Sequence, residues 1–172
     1  DSGNSRMSSL TNQLGGFASL AGINLGGANS NRSQYVLEVL QSKKFIYAFI
    51  EKYNIKHVIL AANGWNRAND ELNYDESLYN ESSERWVREV DTHQRAEPSL
   101  LETYFHFLKY NFELIEDQST GTILLKVTHY SPYIAQKIAS LIVEEINHHI
   151  KVRDTDESLK NIEFLTEQIT NT

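Results

Sequence analysis

The C-terminal third of the chain opens with Phe112–Ile115 (FELI), Glu116–Gly121 (EDQSTG) and Ile123–Val127 (ILLKV). Two short apolar runs separated by acidic, hydroxyl and glycine residues are typical of a β-hairpin with a loop longer than two residues. Gly121 can adopt positive φ without steric cost, which suits such a loop. The pattern therefore predicts an antiparallel hairpin.

A long helix is predicted directly after the hairpin. Ser131 suits an N-cap and Pro132 the first helical position, and no proline or glycine follows before Thr172. A straight helix over this stretch would be roughly 60 Å long at ~1.5 Å per residue, which is more than a compact domain of this size needs. We therefore expect a small globular base from which a helical arm extends.

This helix carries two apolar stripes with a charged stretch between them. The first should pack on the hairpin face formed by alternate residues of Ile123–Val127, and it consists of Ile134, Ile138, Leu141, Ile142, Ile146 and Ile150. Val152 is the one apolar residue in Lys151–Glu157, so the helix should leave the core there. The second stripe consists of Leu159, Ile162, Leu165 and Ile169. Its spacings suit one partner helix, as in a coiled coil. That partner is either another copy of the chain or a returning helix.

In the part of the chain before the hairpin, the sequence predicts helices and one segment that could be either helix or strand. Apolar spacings of three and four indicate one helix from Ser33 and a second that begins at Ser42. Ile55–Ala62 fits either a strand or a buried helical turn. Pro98 and Ser99 begin another helix, which has Leu101, Tyr104, Phe105 and Leu108 on one face. We predict an α+β fold with a base domain at 1–150, a polar excursion at about 66–97 and the arm at 151–172.

The composition of the chain argues against several classes of binding partner. The net charge is -7, which argues against a nucleic-acid partner and against adhesion to anionic lipid head groups. The chain contains no cysteine, so it carries no disulfide or thiolate chemistry. No uninterrupted apolar run approaches the ~20 residues that a membrane helix needs. We interpret the chain as a piece of a larger protein whose membrane segments lie outside it.

The sequence carries only weak signals for a reaction centre or a metal site. Glu144 with His148 and Glu145 with His149 are spaced four apart, which indicates solvated pairs on a helix rather than a zinc site. The acidic residues of the excursion, Asp70, Glu71, Asp75 and Glu76, lack the pattern of an EF-hand. The glycine-punctuated segment Gly15–Gly27 lacks the Gly-Lys-Ser/Thr of a phosphate-binding loop. We predict no catalytic residue, no cofactor and no metal.

Several segments, in their order, carry a family resemblance. They are Phe17–Gly27, Leu40–Ile50, Ala61–Trp65, Thr120–Val127, Ser131–Ala139 and Arg153–Gln168. The ordered set resembles the periplasmic domain of the Wzz-type polysaccharide co-polymerases, the O-antigen chain-length determinants. The resemblance covers most of the chain from Gly15 onward, and these segments are the pieces that match.

The resemblance implies a function without enzymatic activity. Members of that family carry a periplasmic α/β base and a long helical arm between two membrane helices. They assemble as rings on the bacterial inner membrane, and they set the modal length of a polysaccharide made by a partner polymerase. The expected partners are thus further copies of the chain, the O-antigen polymerase and the growing polysaccharide. The alternatives are a capsule or exopolysaccharide export co-polymerase linked to a cytoplasmic tyrosine kinase, and a helical adaptor unrelated to sugars.

Overall fold

A computed structural model describes residues 27–117, 119, 120 and 122–170, with side chains described from Asn31. The fold is mixed α+β, with small antiparallel sheets and a long C-terminal helix, as predicted. The glycine-punctuated segment before residue 27 lies outside the described residues. So do Gly121 of the hairpin loop and the last two residues of the arm.

Two helices form an elbow at the start of the described chain. Helix α1 spans Gly27–Gln41 and α2 spans Lys43–Lys52. Ser42 separates them, and its hydroxyl accepts a hydrogen bond from the Phe45 amide at 3.2 Å. The predicted second helix start at Ser42 is therefore confirmed. Helix α2 buries Phe45, Ile46, Phe49 and Ile50.

The ambiguous segment is mainly helical. Helix α3 spans Lys56–Leu60 and buries Ile59, and strand β1 begins at Ala62. The short apolar run is thus a buried helical turn, because its three consecutive apolar residues cannot all face one side of a strand that has a solvated face.

The region predicted as a polar excursion is mostly exposed but contains ordered strands. Strand β1 (Ala62–Asn66) pairs with β2 (Glu71–Tyr74), and β3 (Tyr79–Asn80) pairs with β4 (Arg85–Trp86), both antiparallel. Tyr79 is buried, and its ring stacks on His57 at a centroid distance of 5.2 Å. Aromatic contacts with α3 therefore hold this polar segment against the base.

Helix α4 spans Leu100–His106 and begins with a capping box between Ser99 and Glu102. The predicted start is confirmed, but the predicted face is only partly right. Leu101 and Phe105 are exposed, whereas Thr103 is fully buried. The Thr103 hydroxyl donates to the Ser99 carbonyl at 2.9 Å, so this polar side chain enters the core with its hydrogen bond made.

A π-helical turn at Phe107–Asn111 leads into the predicted hairpin. Strand β5 spans Phe112–Asp117 and β6 spans Thr122–Val127, paired from Phe112 with Val127 to Asp117 with Thr122. The strands extend further than the apolar runs, so the loop is shorter than Glu116–Gly121. Each of the three strand pairs described is a separate two-stranded sheet.

Helix α5 spans Pro132–Thr170, a continuous helix of 39 residues. The Ser131 hydroxyl accepts from the Ile134 amide at 3.3 Å, which confirms the N-cap. Ile138, Ile142, Ile146 and Ile150 are buried in one core with side chains of α1 to α3 and of the hairpin. The first stripe therefore packs on the β6 face that carries Leu125 and Val127, as predicted, and on the helical elbow as well.

Candidate assembly surface on the C-terminal helix

Where the arm leaves the base, side chains of α1 contact it. Ile150 is the last buried residue of α5. One turn further, the Arg153 guanidinium lies 4.2 Å from the centroid of the Tyr35 ring of α1, and Arg32 approaches Asp154 at 3.9 Å. Helix α1 thus supports the arm as far as Asp154. From there to Thr170 every residue is exposed, and this part extends roughly 25 Å at ~1.5 Å per residue.

The predicted second stripe lies on the exposed part of the arm. We call Leu159, Ile162, Leu165 and Ile169 the seam. Their exposed fractions are 59%, 60%, 57% and 79%. The continuous helix brings all four onto one side, and no described residue covers them. Large apolar side chains grouped in this way on one helix face are typical of an interaction surface.

The hydroxyl side chains on the seam side turn inward to the helix backbone. Ser158 donates to the Asp154 carbonyl at 2.8 Å, and Thr166 donates to the Ile162 carbonyl at 2.7 Å. Thr170 makes the same contact with the Thr166 carbonyl at 2.6 Å. A buried polar group without a hydrogen bond is costly. Because these hydroxyls already have partners, the seam side can be covered without leaving them unsatisfied.

Charge is placed on the opposite side of the arm. At ~100° per residue, Lys160 and Glu167 lie roughly 150° from the centre of the seam, and Glu163 lies near its edge. Phe164 also lies on that charged side and is 58% exposed. The arm is therefore amphipathic, with an apolar and hydroxyl side and a charged side.

The seam points away from the side of α5 that the base covers. At ~100° per residue, the mean direction of the seam lies roughly half a turn from that of the buried Ile138, Ile142, Ile146 and Ile150. A helix that covers the seam must therefore approach from the side of α5 opposite the base.

The carboxylates noted in the sequence make local hydrogen bonds. Asp70 accepts from the Trp65 indole at 2.7 Å, Glu71 accepts from Asn69, and Asp75 accepts from the Ser77 hydroxyl at 2.6 Å. Hydrogen bonds from Ser77 lower the pKa of Asp75. In residues 27–117, 119, 120 and 122–170, no group of three or more His, Asp or Glu side chains is placed to hold a metal ion.

Glu145 does not pair with His149, although the spacing suggested it. The Glu145 carboxylate accepts from Lys52 Nζ and from the Tyr53 hydroxyl, each at 2.5 Å. The hydrogen bond from Lys52 is the main cause that lowers the Glu145 pKa. The His149 ring instead packs edge-on against Phe45, with centroids 5.6 Å apart. This glutamate therefore joins the end of α2 to α5.

Sequence reasoning missed a group of residues at the base of the hairpin. His106 and His129 are 23 residues apart in the sequence, yet they line the same cleft beside Asn111 and Thr128. The β5–β6 register aligns Phe112 with Val127, and it therefore sets the residues just before β5 beside those just after β6. The hairpin pattern itself was the signal that could have revealed this proximity.

Comparisons with known proteins identify no relative of the chain. No protein-family model, curated protein or solved structure matches the chain. None of the helices in the described ranges combines the length and the apolar character of a membrane span.

Proposed function

We propose that the chain is the periplasmic part of an inner-membrane polysaccharide co-polymerase that regulates the modal length of lipopolysaccharide O-antigen. It acts without enzymatic activity, as an oligomer, together with a polysaccharide polymerase. The observation that carries the proposal is the exposed seam on a helix that extends beyond the base. The family resemblance of the sequence supplies the biological setting.

A second copy of the chain suits the seam for electrostatic reasons. Most residues beside the seam are uncharged, including Ser158, Asn161 and Thr166, and Glu163 is the charged residue at its edge. When two copies pair through the seam itself, identical surfaces meet, so a charged flank would face a like charge and weaken the contact. Here Lys160 and Glu167 lie on the far side of the arm, where they stay in water.

Membrane anchoring strengthens such a contact. A seam of four side chains binds weakly between freely diffusing chains, but anchored copies face each other at a high effective concentration. We propose that the base domains pack side by side in a ring and that the arms support its upper wall. The ring then limits how long the growing polymer stays engaged with the polymerase.

The test is the O-chain length distribution in a strain that lacks its own chain-length regulator. The strain is complemented with the full-length parent protein, either unchanged or carrying Ile162→Asp with Leu165→Asp. We expect a narrow cluster of O-chain bands with the unchanged parent and a broad ladder with the variant. A random ladder despite the unchanged parent in the membrane would contradict the proposal. It would favour a capsule or exopolysaccharide system instead.

A further inference from the structure

The base contains a cleft of about 570 Å³ at the open end of the hairpin. Ile59, Leu60 and Ala62 form its apolar side. The rest of its lining consists of polar and aromatic residues that precede β5 or follow β6: His106, Tyr110, Asn111, Thr128, His129 and Tyr130. A volume of this size, with one apolar wall and a few polar groups, is typical of a small-molecule site.

No ionised side chain lines this cleft, which indicates an uncharged ligand. Its lining contains no Asp, Glu, Lys or Arg. Burial lowers the pKa of His106, so the imidazole is neutral at pH 7. A neutral imidazole can donate through one nitrogen and accept through the other. The cleft thus provides hydrogen bonds in both directions without a net charge.

The side-chain oxygen of Asn111 is a hydrogen-bond acceptor that lacks a donor. Its side chain is 9% exposed, and its Nδ2 donates to the Thr128 carbonyl at 2.9 Å. In the described part of the chain, the Asn111 Oδ1 atom has no hydrogen-bond partner. A buried acceptor left unpaired is unfavourable, but the Oδ1 atom is shielded from solvent, so a ligand hydroxyl in the cleft reaches it only when a neighbouring side chain moves.

Two tyrosines offer ring surface at the cleft. Tyr130 is 58% exposed, and Tyr110 is 54% exposed with its ring 4.7 Å from that of His106. Lys109 lies over Tyr110 at 4.8 Å from the ring centroid, on an exposed side chain that can move aside. Tyrosine combines an apolar ring with a polar hydroxyl, and it therefore suits ligands that have both apolar faces and hydroxyl edges.

His129 holds the cleft in shape. Its Nε2 lies 3.0 Å from the Val58 carbonyl oxygen, and its Nδ1 accepts from the Ser131 amide at 3.2 Å. Because Nδ1 accepts, Nε2 carries the proton and donates to Val58. One imidazole thus ties α3 to the start of α5 across the floor of the cleft.

We propose that this cleft binds a neutral sugar unit. A pyranose ring offers an apolar face to a tyrosine and hydroxyl groups that can exchange hydrogen bonds with His106. That the sugar belongs to the growing polymer rests on the proposed function, whereas the binding itself rests on the cleft alone.

Saturation-transfer NMR on the 172-residue chain tests the proposal. The probes are glucose, galactose, mannose, rhamnose and N-acetylglucosamine, each added alone. The variants are Tyr110→Ala and Tyr130→Ala. The matched control is Tyr133→Ala, which removes a tyrosine that is 60% exposed and lies outside the cleft.

We expect saturation transfer to at least one sugar, with binding at least about tenfold weaker in one of the two cleft variants and unchanged in the control. Amide shifts at Asn111 and Thr128 should accompany binding. Absence of transfer to all five sugars would overturn the proposal, and so would equal binding by wild type and both cleft variants. Because O-chain length is measured separately, loss of length control with sugar binding intact would count against the proposed function and not against the cleft.

Discussion

Replacing both Ile162 and Leu165 with aspartate probes the seam most directly. These two side chains are 60% and 57% exposed in the single chain. Full burial of such a side chain stabilises by ~1.5–3 kcal/mol, so covering the exposed part of each contributes roughly 1–2 kcal/mol. When two copies pair through the seam, the double variant lowers the favourable free energy of association by roughly 4–8 kcal/mol. The desolvation cost of the aspartates adds to this loss.

The free chain should associate weakly. The seam side chains must offset the loss of translational and rotational freedom on association, which costs at least ~4 kcal/mol. At protein concentrations up to ~1 mM, association is detectable when its net free energy reaches ~4 kcal/mol. The loss calculated for the double variant is at least as large as this net value, so the variant should be monomeric.

Sedimentation equilibrium at protein concentrations up to ~1 mM measures this association. The matched control carries Phe164→Asp with Lys160→Gln. It makes the same change in net charge on the same helix, at two positions on the side away from the seam. Wild type and control should associate to the same extent, and the seam variant should not. A wild-type chain that stays monomeric over this range would refute pairing through the seam. Association of the seam variant as strong as that of wild type would do the same.

Three further predictions concern the base. Ile142→Ala should lower the free energy of unfolding by ~2–5 kcal/mol in urea denaturation, because Ile142 is fully buried, whereas Ile162→Ala should change it by less than ~0.5 kcal/mol. Ser131→Ala should lower it by about 1 kcal/mol, because the amide of Ile134 loses its cap. The hydrogen bond from Arg88 lowers the pKa of Glu102 from 4.5 to about 2, so the stability that Glu102 contributes is complete above pH 4.5 and is lost as the pH falls toward 2. Because the Glu102 side chain is 48% exposed, this contribution is about 1 kcal/mol, and wild type and Glu102→Gln should converge in acid denaturation between pH 4.5 and 2.

Each of these has a contrary result. An equal loss of stability in Ile142→Ala and Ile162→Ala would mean that the seam is already covered in the isolated chain. If Ser131→Ala has the same free energy of unfolding as wild type, the Ser131 cap does not contribute to stability. A stability difference between wild type and Glu102→Gln that persists unchanged at pH 2 would show that the ion pair with Arg88 is not its cause.

Local patterns in the sequence were sufficient for the elements with strong start signals. Ser42, Ser99 and Ser131 were all predicted as helix starts, and each caps a helix through a bond to an amide three residues further on. Capping depends only on neighbours along the chain, so it can be read without knowledge of the fold. The hairpin was predicted for the same reason, since its strands and its loop are adjacent in sequence.

Burial could not be assigned from residue type alone. Thr103 is fully buried and Phe105 is 60% exposed, the reverse of what their side chains suggest. The buried side of α4 depends on how that helix sits against α2 and α3, which its own seven residues do not reveal. Thr103 can be buried because its hydroxyl bonds to the backbone of the same helix.

The sequence by itself determined that α5 is long, where it begins and which residues form the seam, because helical periodicity is a local property. Only the tertiary structure decided that the helix leaves the base with Arg153 against Tyr35 and that helix α1 supports the arm as far as Asp154. It also decided that residues on either side of the hairpin meet in one cleft. These features depend on contacts between residues distant in sequence, which are formed only when the helices and the hairpin pack around the common core.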